Sequence, residues 1–317
     1  MSSSVDVVIV AYNRYELTES CLRHLQTQTI EHRVIVVDNG STDDTRERLR
    51  AEWPDVSLEH FDENHGFPEA CNHGVAAGSG EIVVLLNNDV DVHPSFLERL
   101  IAPLQAADVG SVAALLLQRD GELIDSVGMT ADSVLAGFPR LRGLPVAHAH
   151  DSAPVFLGPG GAAAAYRRAA WTQVGGLDEA IDFYMEDLDL ALRLRVAGWR
   201  SVPEPSAVGV HLCSATHGRR SRSSRRHGAF GRGYILRRYG LLRGPKAMRA
   251  LVTEAIVVFG DLVISRDLAA LRGRLQGWRV AGTRARLAGP PIESVDHSIG
   301  FRESLVRRVR MDARRDV

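Results

Sequence analysis

An apolar segment of strand length runs directly into a group of oxygen-bearing side chains. Residues 82–86 are continuously apolar, and Asn87, Asn88, Asp89 and Asp91 follow them. Such a run is typical of a strand buried in a parallel sheet, and α/β proteins bind ligands beyond the carboxyl ends of these strands. Carboxylate and amide oxygens suit Mg²⁺ or Mn²⁺ held together with a substrate diphosphate. The alternative is a simple turn, because Asn and Asp are common turn residues.

A second group of acids opens a segment in which leucines recur at helical spacing. Glu186, Asp187 and Asp189 stand at its start, and Gly198 is a suitable residue to end the helix. The helix dipole favours a carboxylate at this position, so we expect Asp187 to be ionised at neutral pH and able to accept a proton. The alternative is that these acids only stabilise the first helical turn.

The elements that would position these groups alternate along the first half of the chain. Apolar runs predict strands at residues 5–11, 33–38, 56–61, 82–86, 109–117 and 123–128. Turns and helical patterns separate the runs, which predicts βαβ units and an α/β fold with a mostly parallel, Rossmann-like sheet flanked by helices. Asp38 ends the second strand, where it either forms a turn or faces a ligand.

The second half of the chain has a less regular pattern. We predict a loop at residues 135–153, a helix at 168–174 and a strand pair at 200–202 and 207–211. Further helices are predicted at 234–242, 247–264 and 267–287, and a charged, frayed tail at 311–317. These patterns suggest a first domain at 1–217 and a basic helical region at 218–317, which would contact a substrate or a membrane or form oligomers.

Composition excludes several classes of protein. The chain has 317 residues, a net charge of −1 and 45% hydrophobic residues, as expected of a soluble globular protein. Its three cysteines show no CxxC spacing, which argues against a zinc site or a disulfide framework and favours the cytoplasm. No secretion signal is evident. The apolar stretch 251–264 contains Glu254 and Asp261 and is too short to span a bilayer.

Basic residues concentrate in the carboxyl third. No Asp or Glu occurs from Pro205 to Thr253, whereas eleven basic residues fall between Arg219 and Arg249. This pattern has three interpretations: a solvated face, contact with an anionic lipid surface or a lipid diphosphate, or nucleic-acid binding. We expect no nucleic acid, because no aromatic residues for base stacking accompany the arginines. Lipid contact is the preferred interpretation, and a peripheral position at the inner face of the cell membrane follows from it.

Four sequence blocks, taken in order, resemble the inverting family 2 glycosyltransferases with a GT-A fold. They are VIVAYNR at 8–14, VVDNGSTDD at 36–44, LLNND at 85–89, and GGLD followed by EDLDL between 175 and 190. The resemblance covers residues 5–215. Within the family, the chain looks most similar to bacterial rhamnosyltransferase-like members that build cell-surface polysaccharides.

The resemblance implies a role for each matching position. The donor nucleotide would be bordered by Ala11, Tyr12, Arg14, Asn64, Gly66 and Asn72, and Asp38 would accept a hydrogen bond from a uracil or thymine base. Asn88 and Asp89 would contact the donor, with Asp89 as a metal ligand, although Asn87 replaces the first carboxylate of the usual Asp-x-Asp motif. His211, 24 residues after Asp187, would be a second metal ligand, with His217 as the alternative. Gly160 and Gly161 would leave room for the acceptor or serve only in packing.

The implied activity is the transfer of a sugar, possibly rhamnose, from a dTDP- or UDP-sugar to a polysaccharide or lipid-linked acceptor. Mn²⁺ or Mg²⁺ would stabilise the leaving diphosphate, Asp187 would be the general base with Glu186 beside it, and the product would have inverted configuration. A non-catalytic scaffold that binds a nucleotide-sugar or lipid is the alternative function, and a homodimer is left open. A dinucleotide-dependent oxidoreductase is disfavoured, because no GxGxxG follows the first strand.

Overall fold

A nine-stranded sheet forms the centre of the protein in the computed structural model, which describes residues 4–181, 183–212 and 221–313. The strands of the sheet and of a separate hairpin are β1 (Val5–Ala11), β2 (Arg33–Asn39), β3 (Ser57–Phe61), β4 (Ile82–Leu86), β5 (Val90–Val92), β6 (Val109–Leu117), β7 (Ile124–Val127), β8 (Met129–Ala131), β9 (Gly137–Pro139), β10 (Ala163–Arg167) and β11 (Arg200–His211). The α-helices are α1 (Tyr15–Gln26), α2 (Thr45–Glu52), α3 (Phe67–Ala77), α4 (Phe96–Ile101), α5 (Arg168–Val174), α6 (Glu186–Val196), α7 (Arg222–Arg238), α8 (Ala247–Ser265), α9 (Ala269–Ala281) and α10 (Phe301–Ala313).

The sheet has a parallel half and a mixed half. Its strand order is β3-β2-β1-β4-β10-β6-β11-β5, and β7 pairs with β6. Strands β3, β2, β1 and β4 are mutually parallel, which confirms the predicted βαβ units. Strand β10 is antiparallel to both β4 and β6, and β5 is antiparallel to β11. Strands β8 and β9 form the separate hairpin.

Helices cover both faces of the parallel half, as its continuous apolar strands require. Side chains alternate across a strand, so Ile9 packs with α1 and α2 residues on one face, whereas Val8 packs with α3 and α5 residues on the other. Each face must therefore be apolar, and the runs show no polar alternation.

Several predicted elements differ from the observed ones. Strand β11 is a single strand with an irregularity between Glu204 and Val208 rather than two strands. The predicted loop 135–153 contains β9 and a short 3-10 turn. Helix α7 begins twelve residues earlier than predicted, α9 ends at Ala281 instead of 287, and α10 was not predicted. The frayed-tail prediction was wrong for residues 311–313, which belong to α10; residues 314–317 lie outside the described ranges.

The carboxyl-terminal helices pack tightly on one another and on the sheet domain. A Cβ atom at Gly277 would lie 2.0 Å from the carbonyl oxygen of Phe230, so α7 and α9 are in backbone contact. Ile235 and Tyr239 then pack against leucines of α6. The predicted domain boundary at residue 217 lies outside the described ranges, between residues 212 and 221. The structure therefore does not test it. Within the described ranges, every helix falls short of the length and apolarity needed to cross a membrane.

Part of the predicted basic face is internal. Arg232 is only 3% exposed and pairs with Glu254 at 2.7 Å, so it cannot contact a lipid surface. Arg225 pairs with Asp261 and Asp267. These arginines of α7 connect it to α8, which contains Glu254 and Asp261, and to Asp267 just after α8. Arg219 and Arg220 lie outside the described residues.

Candidate active site

Hydrogen bonds join the loops that follow β1 and β2. The backbone N–H of Asn13 donates to Ser41 Oγ at 2.8 Å, and Asn13 Oδ1 accepts from the N–H of Thr42 at 2.8 Å. The N–H of Arg14 donates to Asp43 Oδ2 at 2.7 Å. Asn13 and Arg14 both adopt left-handed backbone conformations, which these bonds stabilise. Asn13 was not among the predicted site residues, although it lies within the first sequence block.

A second set of bonds brings in the loop that follows β3. The buried side chain of Asn39 donates to the carbonyl of Gly66 at 3.1 Å and accepts from the N–H of His65 at 2.9 Å. Asn64 Oδ1 accepts from the N–H of Gly66 at 2.9 Å. Gly40 has a positive φ, and a Cβ there would lie 2.4 Å from the Glu63 carbonyl carbon. The three loops predicted to surround the nucleotide therefore form one connected unit.

Asp38 and Asn72 already have protein partners in this structure. Asp38 has no exposed surface; its carboxylate accepts from the N–H of Ser41 at 3.1 Å and from Arg46 Nε at 2.6 Å. Asn72, on α3, exchanges hydrogen bonds with the backbone of Leu177 at 2.9 and 3.0 Å. Both residues hold neighbouring loops in place, and their contact with a nucleotide remains a prediction.

The predicted metal ligands lie side by side. Asp89 follows β4, and His211 ends β11, which pairs with β5 beside Asp89. The distance from His211 Nε2 to Asp89 Oδ1 is 3.3 Å. On its other side, His211 Nδ1 lies 2.9 Å from Asp125 Oδ2, and Asp125 in turn pairs with Arg142 at 2.8 Å. His217, the alternative ligand, lies outside the described residues.

This arrangement fits a divalent cation. A neutral His211 ring that donates from Nδ1 to Asp125 directs the lone pair of Nε2 towards Asp89, so two acceptors would face each other. Asp89 Oδ1 is buried and accepts no hydrogen bond from the described residues. A cation between the two atoms would satisfy Asp89 Oδ1, and a carboxylate behind a ligating imidazole is the usual support. No cluster of three or more His, Cys, Asp or Glu residues suited to an ion occurs in the described ranges, so a bound ion would need further ligands from substrate or water.

The block that contains Asp89 is held from two sides. Asn88 donates from its side chain to Thr18 Oγ1 on α1 at 3.0 Å. The N–H of Asn87 donates to the carbonyl of Ala162 at 2.8 Å, just before β10. Asn87 thus contributes through its backbone, and its side chain need not carry charge for the loop to form.

Glu186 and Asp187 occupy the first turn of α6 in a buried environment. Asp187 Oδ2 accepts from the N–H of Gly161 at 3.1 Å, and Oδ1 accepts from the N–H of Leu188 at 2.7 Å. Glu186 Oε2 is buried without a hydrogen-bond partner among the described residues. The preceding residues Tyr184 and Met185 have positive φ angles and direct the chain sharply into the helix.

Burial shifts the protonation of this carboxylate pair. Burial and the charge of Asp187 raise the pKa of Glu186 to about 8. Burial also raises the pKa of Asp187, but the backbone N–H groups of Leu188 and Gly161 oppose that shift. Burial therefore favours a proton on Glu186 at neutral pH, and the two backbone N–H groups favour negative charge on Asp187 rather than on Glu186. The helix dipole predicts an easily ionised Asp187, whereas burial shifts its pKa in the opposite direction; the neutral Glu186 is not predicted by the sequence.

The carboxylate pair and the Asp89 block lie at the same edge of the sheet. Strand β10 starts opposite the end of β4, with Ala163 paired to Leu86. Gly161 and Ala162, just before β10, contact Asp187 and Asn87 respectively. A Cβ atom added at Gly160 would still lie 3.9 Å from Asp187 Oδ2, an ordinary contact distance. Packing alone does not require glycine there, and the small residues leave open space beside the carboxylate.

The carboxyl-terminal region supports the acidic helix from behind. Asp189 is fully buried; it pairs with Arg193 at 2.6 Å and accepts a hydrogen bond from the hydroxyl of Tyr239 at 2.9 Å. A Cβ atom at Gly231 of α7 would lie 2.4 Å from the carbonyl oxygen of Tyr184. Sequence reasoning missed Asn39, Asp125 and Tyr239, because only the folded chain brings them to their partners.

Comparison with known proteins gives the family. Residues 6–170 match the model described as glycosyl transferase family 2. The chain belongs to this family. A relative from Mycobacterium tuberculosis, named N-acetylglucosaminyl-diphospho-decaprenol L-rhamnosyltransferase, is 30% identical over 243 residues, which cover 69% of this chain and 79% of the relative. The family and its named relatives confirm the prediction that this protein is an enzyme, a glycosyltransferase.

Two solved structures of glycosyltransferases share the fold. The mannosyltransferase PcManGT from Pyrobaculum calidifontis, in complex with GDP-Man and Mn²⁺, is 19% identical with a TM-score of 0.54, covering 88% of this chain and 86% of that chain. GalNAc-T7 with UDP, GalNAc and Mn²⁺ is 12% identical with a TM-score of 0.56, covering 84% of this chain and 59% of that chain. The predicted GT-A fold is thus confirmed.

Proposed function

We propose that this glycosyltransferase moves a sugar, with rhamnose as the first candidate, from a dTDP- or UDP-sugar to a lipid-linked or polysaccharide acceptor with inversion of configuration. The carrying observation is the meeting of two chemistries at one edge of the sheet. Asp187 and Asn87, two residues before Asp89, hydrogen-bond to the adjacent residues Gly161 and Ala162 just before β10, and Asp89 lies 3.3 Å from His211. A leaving diphosphate and an acceptor hydroxyl would need groups of these two kinds.

Asp89 and His211 would hold a Mn²⁺ or Mg²⁺ ion together with the donor phosphates. Such an ion, when bound, supplies positive charge that stabilises the departing diphosphate. Asp125 fixes the orientation of the His211 ring and favours the tautomer whose Nε2 can bind a metal. Asn88 donates a hydrogen bond to Thr18, which keeps the loop that contains Asp89 in place.

Asp187 would act as the general base. The N–H groups of Leu188 and Gly161 favour its charged form, and its open side near Gly160 would allow it to accept the proton of an acceptor hydroxyl. Attack from the face opposite the leaving group inverts the anomeric centre. Glu186 in its neutral form adds no second negative charge, so it does not repel the donor diphosphate, and its proton can bond to an acceptor oxygen.

The donor nucleotide would lie against the three joined loops. Ala11, Tyr12 and Arg14 come from the first loop, and Asn64 and Gly66 from the third. Asp38 lies between them, where one of its oxygens would accept from the base after a local adjustment of Ser41 or Arg46. Asn72 would act indirectly by positioning residues 177–179.

The acceptor proposal rests on the mycobacterial relative. That protein is named for an N-acetylglucosaminyl-diphospho-decaprenol acceptor. We extend this chemistry to the present enzyme as a prenyl-diphosphate-linked sugar, used in the cytoplasm at the inner face of the membrane. The alternative function, a scaffold, would bind a nucleotide-sugar without transferring the sugar.

The test combines donor binding with product analysis. A panel of nucleotide-sugars is screened by thermal shift with and without Mn²⁺, since a ligand that binds only the folded state raises the melting temperature. The stabilising donor is then incubated with a synthetic prenyl-diphosphate N-acetylglucosamine, and the anomeric configuration of the product is determined by NMR. We expect Mn²⁺-dependent stabilisation by one donor and an inverted product. A retained configuration would overturn the mechanism, and binding without transfer to any acceptor would favour the scaffold.

A further inference from the structure

The exposed face of α8 is entirely apolar. All nine exposed positions of this helix carry apolar side chains, and eight of them are large residues that are 38–79% exposed. Those eight are Met248, Leu251, Val252, Ile256, Phe259, Leu262, Val263 and Ile264. An exposed apolar surface of this size on a helix is unusual for a protein surrounded only by water.

The polar residues of α8 point inward instead. Glu254 is buried and accepts from Arg232, Arg274 and Arg308 at 2.7 to 3.0 Å. Arg249 on the same helix pairs with Asp132 at 3.1 Å. These pairs join α8 to α7, α9, α10 and the turn before β9, so the orientation of the helix is fixed. The apolar face cannot rotate into the protein without breaking several buried ion pairs.

Cations flank this face without carboxylate partners. Lys246 and Arg266 cap the two ends of α8. No ion pair in the described ranges involves these two residues, or Arg243, Arg272 and Arg279 nearby in the chain, all of which are exposed. The only acids between residues 241 and 281 are Glu254, Asp261 and Asp267, and each is paired with an arginine. Each end of α8 therefore carries a cation that no acid in the described ranges neutralises.

We propose that the exposed face of α8 lies in the interface of a lipid bilayer that contains anionic headgroups. An apolar helix face bounded by Lys and Arg is the pattern of a helix that lies in the plane of the membrane. Negative lipids would neutralise the uncompensated cations, and acyl chains would cover the apolar side chains. A second copy of the chain on the same face would bring like charges together. The inference does not depend on the donor, the metal or the general base.

Vesicle co-sedimentation of the full chain tests the proposal, with no donor present. We compare vesicles of phosphatidylcholine alone with vesicles that contain about one-third phosphatidylglycerol, and expect at least about tenfold tighter binding to the anionic ones at low salt. Raising the salt concentration should weaken that binding. The double variant Phe259→Glu/Ile264→Glu should lose about tenfold or more in binding, because it places two carboxylates in the contact face.

The control variant Ile292→Glu is compared with the single variant Ile264→Glu. Ile292 is 74% exposed and Ile264 is 79% exposed, so the two sites receive the same change at similar exposure, and Ile292 lies outside α8 and α9. Circular dichroism should show that all variants fold. Ile292→Glu should bind vesicles like the wild type. Equal loss of binding in both variants would overturn the assignment to α8. Absence of vesicle binding, with a dimer in light scattering that the double variant abolishes, would show that a second copy covers the face and would also overturn it.

Discussion

Replacing Glu186 by Gln should remove a pH-dependent loss of stability. Burial and the neighbouring charge of Asp187 raise the pKa of Glu186 from 4.5 to about 8 in the folded protein. In the unfolded chain the carboxyl ionises near its ordinary value. Between these two pKa values the folded state keeps a proton that the unfolded state has released, so the free energy of unfolding falls as the pH rises.

The expected size of this effect follows from the shift. One pKa unit corresponds to about 1.4 kcal/mol. With a folded pKa of about 8 for Glu186, the contribution lost between pH 5.5 and pH 8 is roughly 3 kcal/mol. Gln has the shape of the neutral carboxyl group and cannot ionise, so the variant should not lose this contribution over the same range.

Urea unfolding of both proteins at several pH values between 5.5 and 8 measures the effect. Groups that titrate in both proteins cancel when the free energies of unfolding are subtracted. As the pH rises, the free energy of unfolding of Glu186→Gln should therefore increase relative to that of the wild type. Glu122→Gln, at an exposed position, should give a difference that does not vary with pH. Parallel curves for wild type and Glu186→Gln would refute the assignment of a buried, protonated Glu186.

Three further substitutions test the residues that support the site. Asp125→Asn should raise the Mn²⁺ concentration needed for donor binding by about 10- to 100-fold, because it loosens the His211 ring. Asp91→Asn, which removes a hydrogen bond to Ser20 and none to His211, should have little effect in the same titration. Tyr239→Phe should cost about 1–2 kcal/mol in thermal or urea unfolding, since buried Asp189 loses a hydrogen bond; an unchanged stability would contradict this role. Gly231→Ala should destabilise the protein by about 1–3 kcal/mol and slow transfer, because its Cβ meets the Tyr184 carbonyl, while Gly260→Ala, in open space on α8, should be neutral or stabilising.

The parallel half of the sheet was predictable because its determinants are local. Strands β1 and β4 read directly as apolar runs, as does β6 of the mixed half, and their observed limits agree with the predicted ones. Strand β10 was not recognised, because its alanines have low strand propensity and their size suits a position between β4 and β6 that only the sheet defines. Strand β5 has only three residues and is too short for a periodic signal.

The candidate metal ligands could be predicted from the sequence, but the contacts between elements that are distant in the chain could not. Asp89 and His211 were expected to be metal ligands, and they are adjacent. Asp125 lies 86 positions before His211 and reaches it only through the pairing of β7 and β11 with β6. Nothing in the local pattern around Asp125 indicates this contact. The two cysteines that the structure describes, Cys21 and Cys71, are buried as expected, and Cys213 lies outside the described residues.

Helix α8 shows the same limit on a larger scale. Its sequence reads as an apolar stretch interrupted by Glu254 and Asp261, and periodicity alone would turn these acids towards water. In the folded chain these two acids instead form ion pairs with arginines of α7, α9 and α10. The apolar face is therefore left outside, which is the reverse of an ordinary surface helix.

The measurement that most directly tests the proposed chemistry is transfer by Asp187→Asn with its donor and Mn²⁺ present. The amide keeps the size of the side chain but cannot accept the acceptor's proton, so the rate should fall by about 100-fold or more. Donor affinity, measured by calorimetry in the same Mn²⁺ buffer, should stay within about threefold of wild type, because the Asp89–His211 pair is untouched. Turnover of Asp187→Asn at the wild-type rate would contradict its role as the general base.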